Sequence, residues 1–200
     1  MKICVQGLWH LGSVTAACLA SVGHDVTGLD ANAATIEKLA QGQAPLFEPG
    51  LDDLLQTGIA NGKLRFSTSP VQALEGAEVL WVAFDTPVDD EDQADVAFVQ
   101  GQIQMALPFL ADDAVVLVSS QMPVGSIRKL EAFAQRNLPE KNWALRVHQK
   151  TCVWARRSMF SSNLTALWSV CAISAYANCS KSCSPLLLTR WNGCRWNPPK

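Results

Sequence analysis

Apolar positions along residues 1–147 alternate between two periods. Short strand-like runs stand at 2–5, 24–30, 63–67, 78–84 and 114–119, and a sixth is expected at 143–147. The runs EVLWVAF and AVVLVS have no polar break, as parallel strands covered on both faces require. Helical spacing fills the intervals: an alanine-rich stretch at 11–22, then 33–40, 51–59, 96–110 and 125–136. Strand and helix in regular alternation predict the α/β class, specifically a Rossmann-type doubly wound parallel sheet. Right-handed crossovers then bring the first turn and the carboxyl ends of the strands to one edge.

The first turn carries the candidate chemistry. MKICVQGLWHLG reads as a strand, a glycine turn and a helix start, and Asp30 closes the next strand 18 residues after Gly12. That is the layout of a dinucleotide-binding βαβ unit. In that fingerprint the first glycine makes the tight turn, the second admits a pyrophosphate and the third lets helix and strand pack. Here the positions are Gly7, Trp9 and Gly12, so an indole stands where the middle glycine is usual. Its side chain must point away from the phosphates, or the site is impaired. The helix start still offers free N–H groups and a positive dipole end. Asp30 suits the acid that holds ribose hydroxyls, which favours NAD over NADP. The plainer alternative makes Gly7 and Gly12 packing glycines and Asp30 a loop acid. His10 reads as a solvent-facing turn residue rather than a base.

Charge divides the chain. Its formal net charge is −2, which points to no nucleic-acid partner, but residues 1–147 hold 18 acids against 9 bases, a balance of −9. Residues 148–200 hold 7 bases and no acid, together with 5 of the 7 cysteines and 4 of the 7 tryptophans. Lys2 leads directly into strand and turn, which predicts no signal peptide. No apolar run reaches the roughly 20 residues of a membrane span. A reducing, cytoplasmic location follows, with Cys4 and Cys18 as small core hydrophobes.

Five segments in one order, GLWHLGSVTAACLASVGHDVTGLD at 7–30, FEPGL at 47–51, LRFST at 64–68, VAFDTP at 82–87 and SSQMPVGS at 119–126, resemble the UDP-glucose/GDP-mannose dehydrogenase family over residues 1–147, its NAD-binding half. The resemblance implies oxidation of a nucleotide sugar's C6 alcohol to a carboxylate, with two NAD and a cysteine thioester. It implies polysaccharide biosynthesis as the setting and homo-oligomers for full-length relatives. By position, Gly7 to Gly12, including Leu8, His10 and Leu11, resembles the pyrophosphate turn, and Asp30 the ribose acid. Thr86 resembles the threonine beside the nicotinamide, and 47–51 the loop that closes near the cofactor. Three positions depart from the family: Trp9 for glycine, Thr35 where lysine often holds the adenosine end, and Gln121 where threonine often stands close to the chemistry. An amide and a hydroxyl can both position water or substrate.

After Val147 the family would continue Ser-Pro-Glu-Asn-Leu-Arg-Leu-Gly, whereas this chain has HQKTCVWARRSMF at 148–160. Joining the last base of each codon to the first two of the next recovers the family text. His148 with Gln149 permits Pro, Gln149 with Lys150 permits Glu, Trp154 with Ala155 forces Gly, and Met159 with Phe160 forces Val. Further on, Trp191 with Asn192 and Trp196 with Asn197 each force Glu. Residues 148–200 therefore read as a frameshifted remnant rather than a domain. A zinc site and a basic membrane-surface tail are the alternatives. Cys179 and Cys183 match no zinc spacing, and Arg156 and Arg157 are too few for anchoring. The reading is the NAD-binding half of a nucleotide-sugar 6-dehydrogenase, inactive as this chain, with no catalytic or metal-binding residue nominated. The alternative is a non-catalytic NAD-binding protein that is regulatory or works through a partner.

Overall fold

The computed structural model describes residues 1–85, 95–120, 122–141 and 144–147, the last four by backbone alone. Six parallel strands form one sheet in the order β3-β2-β1-β4-β5-β6. They are β1 (Lys2–Gln6), β2 (Asp25–Leu29), β3 (Leu64–Ser67), β4 (Val79–Val82), β5 (Val115–Val118) and β6 (Ala144–Val147). The helices are α1 (His10–Ser21), α2 (Ala33–Ala40), α3 (Leu51–Ala60), α4 (Pro70–Leu74), α5 (Val96–Ala106) and α6 (Ser126–Asn137). β1 pairs with β2 from Lys2 opposite Asp25 to Gln6 opposite Leu29, and with β4 from Ile3 opposite Val79 to Gln6 opposite Val82. The order reverses direction at β1, so the turn after β1 opens at the switch point where open α/β sheets bind ligands.

Two helical layers cover the sheet. α1 packs on α3 over the β1–β3 half. On the other face α4, α5 and α6 close a core of Cys4, Leu80, Val82, Ile103, Val116, Val118 and Leu130, all buried. β4 lies buried along its whole length, as its unbroken apolar run requires. β5 differs: Val116 and Val118 are buried but Val115 and Leu117 only half-buried. The physical reason is that α1 and α3 sit over the other half of the sheet.

β4 and β5 are shorter than the apolar runs at 78–84 and 114–119. β4 ends at Val82 because its ladder partner β1 ends at Gln6, where Ala83 donates its N–H to the Gln6 carbonyl at 2.8 Å. The helix expected over 96–110 stops at Ala106 and tightens into a 3-10 turn, Leu107–Phe109. Pro108 lacks the N–H that would continue the α ladder. α4 was not expected. It is one short turn started by Pro70 after Ser69, the favoured place for proline in a helix. Among the described residues, no helix is long and apolar enough to cross a membrane.

Candidate functional site

The turn between β1 and α1 is built by two glycines for different reasons. Gly7 has φ +89°, and a Cβ there would stand 2.7 Å from the Phe84 ring and 2.9 Å from the Phe84 nitrogen. Its N–H donates to the Leu29 carbonyl at 3.0 Å, which ties the turn to β2. Gly12, inside α1, needs no unusual φ. A Cβ on it would fall 1.8 Å from the Gly7 carbonyl oxygen. Helix and turn therefore touch backbone to backbone, as the third glycine of the fingerprint permits.

Asp30 fastens the turn from the neighbouring strand end. Its Oδ2 accepts the Leu8 N–H at 2.8 Å, and its Oδ1 accepts the Asn32 N–H at 2.9 Å. Asn32 in turn caps α2, its Oδ1 accepting from Ala34 at 3.0 Å and from Thr35 at 3.3 Å. Each carboxylate oxygen retains lone-pair capacity for a further donor such as a ribose hydroxyl. Thr35 thus lies in the first turn of α2, linked to Asp30 through the Asn32 cap. Leu8 is fully buried, so it can reach a ligand through its backbone alone. Leu11 is half-buried on the first turn of α1.

α1 starts without a side-chain cap and without an acid in its first turn. Ser13 Oγ instead donates to the Trp9 carbonyl at 2.6 Å, a bond that satisfies an acceptor and leaves the leading N–H groups untouched. Those groups and the helix dipole can hold an anion. Trp9 is the residue preceding the helix, with φ −72°, a value open to any residue. Its indole is 53% exposed. The middle position therefore imposes no positive φ that would demand glycine. Trp9→Gly is expected to leave NAD affinity unchanged or improved while costing about 0.5–1 kcal/mol of stability through backbone entropy. A large loss of affinity on titration would instead place the indole in the site.

His10 is the first residue of α1 rather than part of the turn, and its side chain keeps 38% of its surface exposed. Its Nε2 lies 2.6 Å from Glu48 Oε1 on the connection before α3. The sequence did not suggest this partner, since the two residues lie 38 positions apart and no local pattern links them.

At the far side of the edge, β4 leads into Phe84, whose ring meets Phe98 of α5 edge-on at 5.6 Å. Trp81 Nε1 donates to Ser119 Oγ at 2.7 Å across β4 and β5. The Ser120 hydroxyl and the Gln6 Oε1 are buried with no hydrogen-bond partner among the described residues. Buried polar atoms are normally paired, so these two can still take a ligand's donor or water. Thr86 and Gln121 lie outside the described residues, as does everything from 148 onward.

Neither described cysteine is poised as a nucleophile. Burial pushes the Cys4 thiol up to about 12, and burial also raises that of Cys18. Both remain thiols, in keeping with a packing role. Among the described residues, no group of three or more His, Cys, Asp or Glu could hold a metal ion. Sequence reasoning missed Asn32, although an Asn directly before a helix is a recognisable cap. It also missed Phe84, whose contact with Gly7 depends on the β1–β4 pairing.

The model of the UDP-glucose/GDP-mannose dehydrogenase family, NAD binding domain, matches residues 1–151. UDP-glucose 6-dehydrogenase of Pseudomonas aeruginosa is 30% identical over 147 residues, covering 74% of this chain and 32% of that protein. UDP-glucose 6-dehydrogenase of Rhizobium meliloti is 34% identical over 140 residues, covering 70% and 32%. Among solved structures, a ternary complex of GDP-mannose dehydrogenase from Pseudomonas aeruginosa superposes with a TM-score of 0.66 at 27% identity, covering 74% of this chain and 35% of that one. The chain thus spans about a third of the length of the curated relatives it matches. A glycine turn at the switch point, an acid at the end of β2 and a matching family model lead to one conclusion: the chain belongs to the UDP-glucose/GDP-mannose dehydrogenase family, and residues 1–151 correspond to its NAD-binding domain.

Proposed function

We propose that residues 1–147 seat NAD as the cofactor half of a nucleotide-sugar 6-dehydrogenase, and that the chain as given does not itself oxidise a nucleotide sugar. The observation that carries the cofactor reading is the uncapped start of α1 beside Asp30, joined by the Leu8 N–H bond of 2.8 Å. The leading N–H groups of α1 suit the pyrophosphate. Gly7 and Gly12 bring the backbone close enough for that approach, and the free lone pairs of Asp30 suit the ribose diol. Thr35, in the first turn of α2, belongs to the adenosine end. Thr86, Gln121 and the unpartnered Ser120 hydroxyl belong to the nicotinamide end. When bound, NAD supplies the hydride acceptor.

The substrate class is a nucleotide sugar, in line with the names of the relatives. The in-frame family text ends near 147, and the residues from 148 onward are read as an out-of-frame remnant, supported by the letters that the codon boundaries force. The fit of text on both sides of the junction also supports a cytoplasmic enzyme of polysaccharide biosynthesis as the parent.

The test is calorimetric titration of the 200-residue chain with NAD and NADP. NAD is expected to bind more tightly, because the Asp30 carboxylate repels a 2′-phosphate. Asp30→Ala is expected to weaken NAD by about 1.5–3 kcal/mol, the scale of hydrogen bonds to a charged group, and to narrow the preference between the two cofactors. NADP binding equal to or tighter than NAD overturns the assignment of Asp30.

A further inference from the structure

We propose that the His10–Glu48 pair is an electrostatic clasp. It docks the 41–50 connection beside the cofactor turn and diverts the Glu48 carboxylate from the anion seat it would otherwise occupy. His10 is then a positioning residue for the dinucleotide. The proposal rests on the reading of the α1 start as a pyrophosphate seat.

The connection between α2 and α3 is held mainly at its own ends. Gln43 donates to the Lys38 carbonyl at 3.0 Å and Leu51 to the Glu48 carbonyl at 3.1 Å. Ala44 donates to Asp52 Oδ1 at 2.8 Å. Burial does not fix it, since Leu46 is 45% and Phe47 85% exposed. Among the described residues, no backbone hydrogen bond runs from 43–50 to α1 or to the sheet. The tie to the cofactor turn is the 2.6 Å contact from His10 Nε2 to Glu48 Oε1.

That tie places an acid at a helix start with none of its own. The positive end of α1 attracts any nearby anion, the chain's own carboxylate included. A carboxylate held beside the first residue of α1 is an intramolecular competitor for a phosphate at that positive helix end. Yet α1 has no side-chain cap, so Glu48 is not spent there. With Nε2–H donating to Oε1, the imidazole holds the carboxylate sideways. The N–H groups are left directed at a ligand. Asp30, the acid after β2, is likewise engaged, by the Leu8 and Asn32 N–H groups. Glu48 and Asp30 are thus each held by donors of the chain itself.

The consequence separates this role from simple loop anchoring. His10→Ala releases Glu48 to fall onto the start of α1. NAD affinity is then expected to drop about tenfold, the size of a helix-terminus interaction in a partly buried setting. The fold should not suffer in proportion, because a carboxylate capping α1 stabilises the helix. Adding Glu48→Gln to His10→Ala removes the competing charge while keeping the side chain's length. This double substitution is expected to recover most of the lost affinity.

The experiment titrates NAD by calorimetry into the 200-residue chain, into His10→Ala and into His10→Ala/Glu48→Gln, with thermal midpoints recorded for all three. Weakened binding in the single variant, recovery in the double and near-equal midpoints support the clasp. Equal weakness of single and double variants overturns it, because loss of loop anchoring alone gives no recovery. Unchanged affinity in His10→Ala overturns it as well. Failure of the parent chain to bind NAD overturns the cofactor seat and the clasp together, whereas binding by the parent without recovery in the double overturns the clasp alone.

Discussion

Gly12→Ala is expected to abolish measurable NAD binding and to lower the thermal midpoint by roughly 6–12 °C, the shift that about 3 kcal/mol produces in a domain of this size. The added methyl would stand 1.8 Å from the Gly7 carbonyl oxygen. That atom is backbone and cannot swing aside as a side-chain tip can. Relief requires α1 to lift off the turn or the turn to move. Gly7 cannot yield freely, because its N–H is held by the Leu29 carbonyl at 3.0 Å and the Phe84 ring lies against its Cα. Overpacking of this kind costs about 1–3 kcal/mol and more where no neighbour can relax. The same displacement misaligns the leading N–H groups of α1, so binding falls with stability. Gly101 supplies the control. It lies within α5, and among the described residues nothing stands within 4 Å of a Cβ placed on it. Gly101→Ala is expected to be neutral or to stabilise by up to about 1 kcal/mol through helix propensity. Thermal scans and NAD titrations of the two variants decide the matter. A stable, NAD-binding Gly12→Ala protein would show that the backbone contact between helix and turn is not required.

No NADH is expected to form when the 200-residue chain is mixed with NAD and UDP-glucose, whereas a one-base frame correction near codons 143–148 is expected to restore family text and, with it, turnover. The first half of this expectation follows from chemistry. Carrying an aldehyde through to a carboxylate by way of a thioester requires a thiol beside the nicotinamide. Cys4 is buried in the core and Cys18 half-buried, and burial raises both thiols. Cys152, Cys171, Cys179, Cys183 and Cys194 fall after residue 147, in the stretch proposed to be out of frame, and none of them sits in a family catalytic motif. The second half follows from the codon boundaries at Trp154, Met159, Trp191 and Trp196, which force glycine, valine and two glutamates. Absorbance at 340 nm, followed with the chain as given and with the corrected gene product, is the measurement. Robust turnover by the 200-residue chain would refute the proposal of inactivity. Absence of family text in the corrected frame would refute the frameshift independently of any assay.

The Rossmann architecture was legible because parallel strands buried on both faces must be apolar throughout, and β4 is. The alternation of such runs with helices of ordinary length leaves few topologies. The order of the six strands, with β4 beside β1 rather than beside β3, was settled by the tertiary pairing. The Gly7, Gly12 and Asp30 triad was legible for a similar reason. All three lie within one βαβ unit, so their spacing in the chain is also their spacing in space.

What the sequence could not supply was every contact made between distant segments. The partnership of His10 with Glu48 spans 38 positions, and Phe84 meets Gly7 only because β4 lies beside β1. The sequence offered Asp30 as a candidate ribose acid. That its carboxylate accepts from the Leu8 and Asn32 N–H groups depends on how the end of β2 meets the turn after β1. Local pattern by itself determined the fold class and the glycine turn, because each rests on steric constraints among neighbours in the chain. The tertiary structure decided which donors hold each carboxylate and which face of β5 stays open, because those depend on side chains meeting across strands and layers.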